Sequence, residues 1–155
     1  MKRTIIGMCL GLMLVFILGG CNTSSKQDFV NTNNQLTFGT NVLTTGVAAQ
    51  QINKPKALVI QEGLHIILNC DTIWKGYLID GNTPPPDVVS CTVDGIAEII
   101  VWGTEANLPN INKTKLQAKR LGDINSVDVQ FAYDQFNAAV TSYDQAVATY
   151  GAKKK

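Results

Sequence analysis

Apolar residues in this chain keep two rhythms: an unbroken block at the start, and a helical spacing over most of the remaining length. Between Pro55 and about Gly76, Gln61, Glu62, His65, Asn69 and Thr72 recur every three to four residues as one polar stripe. Ile60, Leu64, Ile67 and Trp74, with Val59, Ile66, Cys70 and Ile73, fill the rest of the circumference. A strand would alternate with period two, so this spacing predicts a helix with a wide buried face. Upstream, Leu36, Leu43 and Val47 lie near helical spacing between Asn33 and Ile52, interrupted by Gly39 and Gly46. They predict a helix that ends before Lys54-Pro55. The most regular pattern is Asp123 to Tyr150, where Val129, Ala132, Phe136, Ala139, Tyr143, Ala146 and Tyr150 alternate spacings of three and four. Gly151 and the three closing lysines end that helix, cations being favourable at the negative end of its dipole.

Two stretches carry turn chemistry. Asp80-Gly-Asn-Thr-Pro-Pro-Pro86 reads as a turn leading into a stiff spacer. Pro109 and Asn110 break the chain again, and Lys113 to Leu121 reads as a short basic helix before Gly122. Between these breaks Asp87 is placed to cap a further helix. That helix has Asp94, Glu98 and Glu105 on one side and Val89, Val93, Ile96 and Ile100 on the other. Ile99-Ile100-Val101-Trp102 is also β-prone, so a short strand near 98–102, bracketed by Gly95 and Gly103, is the competing reading. The fold class is therefore all-α, a small antiparallel bundle of about four helices, with an α+β arrangement containing that strand as the alternative. Short connections favour antiparallel neighbours.

The opening block has its own logic. Met1-Lys2-Arg3 precedes about fourteen mostly apolar residues and then the small residues before Cys21, the layout of an export signal. A span of the bilayer would need about 20 apolar residues. Leu18-Gly19-Gly20-Cys21 resembles the lipobox of bacterial lipoproteins. That resemblance implies removal of residues 1–20, lipidation of the Cys21 sulfur, and a mature chain that begins at Cys21. Two or more acyl chains would hold it, because one chain binds only marginally. It also implies a cell-envelope location, and Asn22 in place of an aspartate after the cysteine points to the outer membrane in a host with two membranes. Polar residues from Asn22 to Gln35 extend this picture as a flexible tether. The expected partition is a signal peptide over 1–20, a lipidated tether over 21–35, a helical domain over 36–151 and a basic tail over 152–155.

After such processing eleven basic residues face twelve acidic ones, a near-neutral balance that, with export, argues against nucleic acid. The charge is unevenly spread. Seven acids and one base, Lys75, lie between Ala57 and Asn112, and then come Lys113, Lys115, Lys119 and Arg120. A basic cluster on a tethered protein can touch anionic headgroups, but a solvated face and a frayed tail are the favoured reading. Cys70 and Cys91 remain besides Cys21, and in an oxidising compartment such a pair forms a disulfide. Bridged Cα atoms must come within about 7 Å, whereas Cys70 would lie about 15 Å from the end of a helix running unbroken to Asp80. Tyr77 to Asp80 are therefore expected to be non-helical.

No catalytic constellation emerges: there is no Gly-x-Ser-x-Gly elbow, glycine-rich phosphate loop or His-Glu-x-x-His helix. His65 is the sole histidine, so no metal site or cofactor is expected. Asp94 and Glu98, four apart on one helix face, are the only carboxylate pair with acid–base potential, and a solvated stripe accounts for them. Tyr143-Asp144-Gln145-Ala146-Val147-Ala148 resembles helical hairpins of bacterial envelope export adaptors and outer-membrane tunnel proteins, over less than a fifth of the chain. Phe136 and Tyr143 are accordingly the candidate interface residues, with an aromatic core seam as the alternative. The expected function is a non-enzymatic, lipid-anchored binding or assembly module with an envelope protein partner. A phage-, plasmid- or host-encoded exclusion or inhibitor lipoprotein is the second reading.

Overall fold

Residues 22–117 and 122–152 are described by a computed structural model of the chain. The expected signal peptide over 1–20, Cys21, Lys119, Arg120 and the closing lysines lie outside these residues. Four α-helices come in order: α1 (Asn22–Ala48), α2 (Lys54–Ile79), α3 (Pro86–Glu105) and α4 (Ser126–Ala148), with a 3₁₀ helix (Ile111–Gln117) between the last two. There is no strand among the described residues. Residues 98–102 belong to α3. Its inner face is Thr92, Ile96, Ile99 and Gly103, all buried and separated by helical steps of four, three and four.

Local chemistry sets the helix starts. The Asn53 side chain accepts from the Lys56 backbone N–H at 3.0 Å and Pro55 occupies the first turn, where its missing donor does no harm. Asn125 and Asp128 form a reciprocal capping box: Asn125 Oδ1 accepts from Val127 and Asp128, and Asp128 Oδ2 accepts from the Asn125 N–H. The expectation that Asp87 caps α3 is corrected. Pro85 holds the cap position without a side-chain bond, and Asp87 sits inside the first turn, where it serves only the dipole.

Each helix buries a seam with alternating steps of three and four. On α2 it is Ala57, Ile60, Leu64, Ile67, Asp71, Trp74 and Leu78; on α4 it includes Val129, Ala132, Phe136, Val140, Tyr143 and Val147. On α1 the seam is Phe29, Asn33, Leu36, Thr40, Leu43 and Val47. That seam corrects the expected tether over 22–35. The segment is helical, with Phe29 and Asn33 fully buried, because it completes the bundle core. Part of its polar look comes from Thr32 and Asn33, both buried.

Around the bundle axis the order is α1, α4, α2, α3, with α1 and α2 on one diagonal and α3 and α4 on the other. The short loops make α1, α2 and α3 alternate in direction. α4 starts beside the first turns of α1, where Val129 and Ala132 join Phe29, Trp74 and Leu78, so it runs parallel to α1. The chain after α3 must therefore return along the bundle before α4 begins, a crossover of the kind some four-helix bundles use.

Cys70 and Cys91 form a disulfide with Cα atoms 6.1 Å apart. Closing this loop stabilises the fold by about 3 kcal/mol in the chain-entropy model. The expectation that Tyr77 to Asp80 are non-helical is corrected, since α2 continues to Ile79. The linker Asp80–Pro85, with Gly81 at φ 73°, is long enough to turn and take up the offset of about 9 Å between the two cysteines' depths.

Candidate functional site

The structure separates the residues expected to act from those expected to pack. Phe136 and Tyr143 are fully buried within the single chain. Phe136 belongs to the main core cluster, and the Tyr143 hydroxyl donates to the Ala57 carbonyl at 3.1 Å. Burial, then the neighbouring Asp144 carboxylate, holds the Tyr143 phenol far above its ordinary pKa, so it stays neutral. Their assignment as interface residues is corrected, because the seam spacing that singles them out is the spacing of the core. The exposed aromatic of α4 is Phe131, 64% accessible on the face opposite that seam.

His65, on the polar stripe of α2, lies 3.1 Å from both carboxylate oxygens of Asp144 on α4. Gln61 Nε2 donates to the same carboxylate at 2.8 Å, so this corner links α2 to α4. Lys75 is drawn to the same side, 3.8 Å from the centre of the Tyr133 ring. No group of three or more His, Cys, Asp or Glu is placed to hold a metal ion among the described residues.

A buried polar pair joins α1 to α2. Asn33 Nδ2 donates to Asp71 Oδ1 at 2.9 Å and to the Phe29 carbonyl at 3.1 Å. Asn33 Oδ1 and Asp71 Oδ2 have no partner. Burial pushes the Asp71 carboxyl up to about 7, opposed by the Asn33 bond and the Lys75 charge. A carboxyl proton changes one of the two unpartnered acceptors into a donor, which is the physical reason for the neutral form to be favoured here. With Thr92, this pair lies between the main core and a smaller cluster of Phe29, Val30, Trp74, Leu78, Val129 and Ala132.

The outer face of the α2–α3 hairpin is different in kind. The spacing predicts a wide buried face on α2, but Val59, Ile66 and Ile73 are 64%, 55% and 49% exposed. They stand seven residues apart and so form one stripe along the helix. Among the described residues only the Ala57-to-Leu78 seam is covered, because α3 and α4 flank it and no described element lies over the outer stripe. α3 is likewise rotated from its expected face: Thr92, Gly95, Ile99 and Gly103 point inward, while Val93 is 40% exposed. That rotation brings Asp94 and Glu98 to the edge of a groove between the two helices.

The groove is walled by Gly63, Ile66 and Ile67 of α2 and by Cys91, Gly95 and Trp102 of α3, with Asp94 and Glu98 at its rim. Close approach makes it: a Cβ at Gly63 would stand 2.5 Å from the Trp102 ring, and one at Gly95 would stand 2.7 Å from Ile67. Its volume, about 250 Å³, is below the roughly 300–1,000 Å³ of small-molecule sites. It suits side chains of a docked segment better than an enclosed ligand. The acidic rim continues along α3, since Asp87, Asp94, Glu98 and Glu105 fall on one face by their steps of seven, four and seven. Glu105 is ion-paired with Lys56, leaving the middle of the rim to Asp94 and Glu98.

No protein-family model, curated protein or solved structure matches the chain. No described helix is long and apolar enough to cross a membrane.

Proposed function

We propose that this protein is a lipid-anchored, non-enzymatic binding or assembly module of the cell envelope, fixed to the membrane through Cys21 and acting through the α2–α3 groove. The observation that carries the reading is the exposed apolar stripe of α2, whose Ile66 lines a groove with an acidic rim. Exposed apolar side chains beside a polar rim are the mark of an interaction face. The lipobox-like segment supplies the tether in this reading. With α1 starting at Asn22, the anchor is short. At about 1.5 Å per residue, Phe29 lies about 11 Å along α1 from Asn22. The module would then present its groove close to the bilayer rather than on a long arm.

In-cell cross-linking of the tagged full chain, with Cys21→Ala alongside, tests this. The expected result is acylation of Cys21 and one stoichiometric envelope protein recovered with the wild type but not with the unanchored variant. An acylated protein that recovers no partner contradicts it.

A further inference from the structure

The groove's chemistry narrows what it accepts, and the inference here rests on the binding-module reading above. Val59, Ile66 and Ile73 extend for about 21 Å at the helical rise, about four turns. A segment that covers this stripe needs its own apolar row of that length. Asp94 and Glu98 rim the groove where Ile66 of the stripe lines it, while Lys75 lies over Tyr133 on the α4 side and Lys56 pairs with Glu105. The α3 flank of the groove is therefore its acidic side.

Three occupants can be compared on that charge. A bilayer with anionic headgroups would be repelled by the rim, since it attracts cations at about 1 kcal/mol each. A second copy docked by the same face with its α2 antiparallel would set acidic rims near one another, and like charges side by side are unfavourable; with α2 parallel each rim would meet the α4-side flank, where Lys75 already lies over Tyr133. A segment with cations beside its apolar row meets both the stripe and the rim. We infer that the α2–α3 groove docks an amphipathic helix of another protein, with Lys or Arg residues flanking apolar ones at steps of three and four. Apolar anchors would enter beside Trp102, and the cations would face Asp94 and Glu98, giving orientation as well as attraction.

Site-specific photocross-linking in the source cells tests this with the full-length chain. A photoreactive residue replaces Ile66 in one variant and Phe131 in another, and the captured peptide is sequenced. Capture at position 66 of a peptide from a different protein, helical in its apolar spacing and carrying Lys or Arg beside that row, is the expected result. Asp94→Lys with Glu98→Lys should lower that yield by about tenfold or more, the equivalent of roughly 1.4 kcal/mol. Both side chains are exposed, and an unchanged melting curve would confirm that the variant folds. Capture of lipid, of a second copy, or of a peptide without basic residues would overturn the inference, as would a yield indifferent to charge reversal. Capture at 131 alone would overturn the groove and leave the tethered-module reading standing. Capture at neither position would remove both.

Discussion

A carboxyl group enclosed in a helix bundle must be neutral or paired, and Asp71 has only the Asn33 amide as a direct partner. Its carboxyl is raised from 3.8 to about 7 by burial, so the folded chain holds a proton that the unfolded chain has released between about pH 4 and pH 7. Stability must therefore fall as pH rises through that window and level off above about 7. The size of the effect is on the order of a few kcal/mol. Asp71→Asn keeps the shape and removes the ionisation. It is expected to flatten the pH dependence of the denaturation midpoint between pH 4 and 7, and to exceed the wild type in stability at pH 8. An unaltered slope would mean that Asp71 is not the titrating group. Helical spacing alone does not mark this residue as core, since a carboxylate at a seam position reads as a break in the apolar pattern. The signal available is its place three residues before Trp74 and four after Ile67, both on the seam.

At the level of elements, the glycines are where spacing alone is most ambiguous. Gly39 and Gly46 look like interruptions of the first helix, and Gly95 and Gly103 like the brackets of a strand. In the fold all four are interior to α1 or α3, where Ile99, Leu108, Ile67 and Ile111 respectively pack against them. Period and composition cannot tell a helix break from a close crossing, because the partner side chain comes from a distant part of the chain. Two substitutions separate these roles. Gly76 has open space around its missing Cβ, so Gly76→Ala should stabilise by about 0.5–1 kcal/mol through helix propensity. At Gly95 three Ile67 atoms lie within 2.8 Å of the added carbon, so overpacking outweighs propensity. Gly95→Ala should destabilise by roughly 1–2 kcal/mol. Urea denaturation of both variants checks the opposite signs; two shifts of the same sign would contradict the packing described. The helices, their number and the Cys70–Cys91 staple are legible in periodicity and cysteine count. The N-terminal part of α1 is not, because Thr32 and Asn33 put polar side chains at buried positions. Nor is the groove, which depends on which face of α2 the other helices leave uncovered.

For the whole molecule, direction and anchorage combine in the proposed arrangement. α1 runs from the end nearest Cys21, α2 returns to it, and Trp74 and Leu78 pack with Phe29 there. Ile66 lies eight residues further from that end than Trp74, about 12 Å at the helical rise. With Cys21 as the anchor, the groove stands roughly one helix-bundle radius further out than the Phe29 layer, open sideways to a partner at the same membrane. Phe131, near the start of α4, marks the opposite choice of surface. Docking at the groove is tested most directly by quantitative recovery of the cross-linked envelope partner with Ile66→Asp and with Phe131→Asp full chains, each shown to be folded by its thermal melt. Both residues are exposed, so each change alters a surface without opening the core. The expected result is loss of the partner with Ile66→Asp and wild-type recovery with Phe131→Asp. Full recovery with Ile66→Asp, or loss with Phe131→Asp alone, would place the binding face elsewhere and refute docking at the groove.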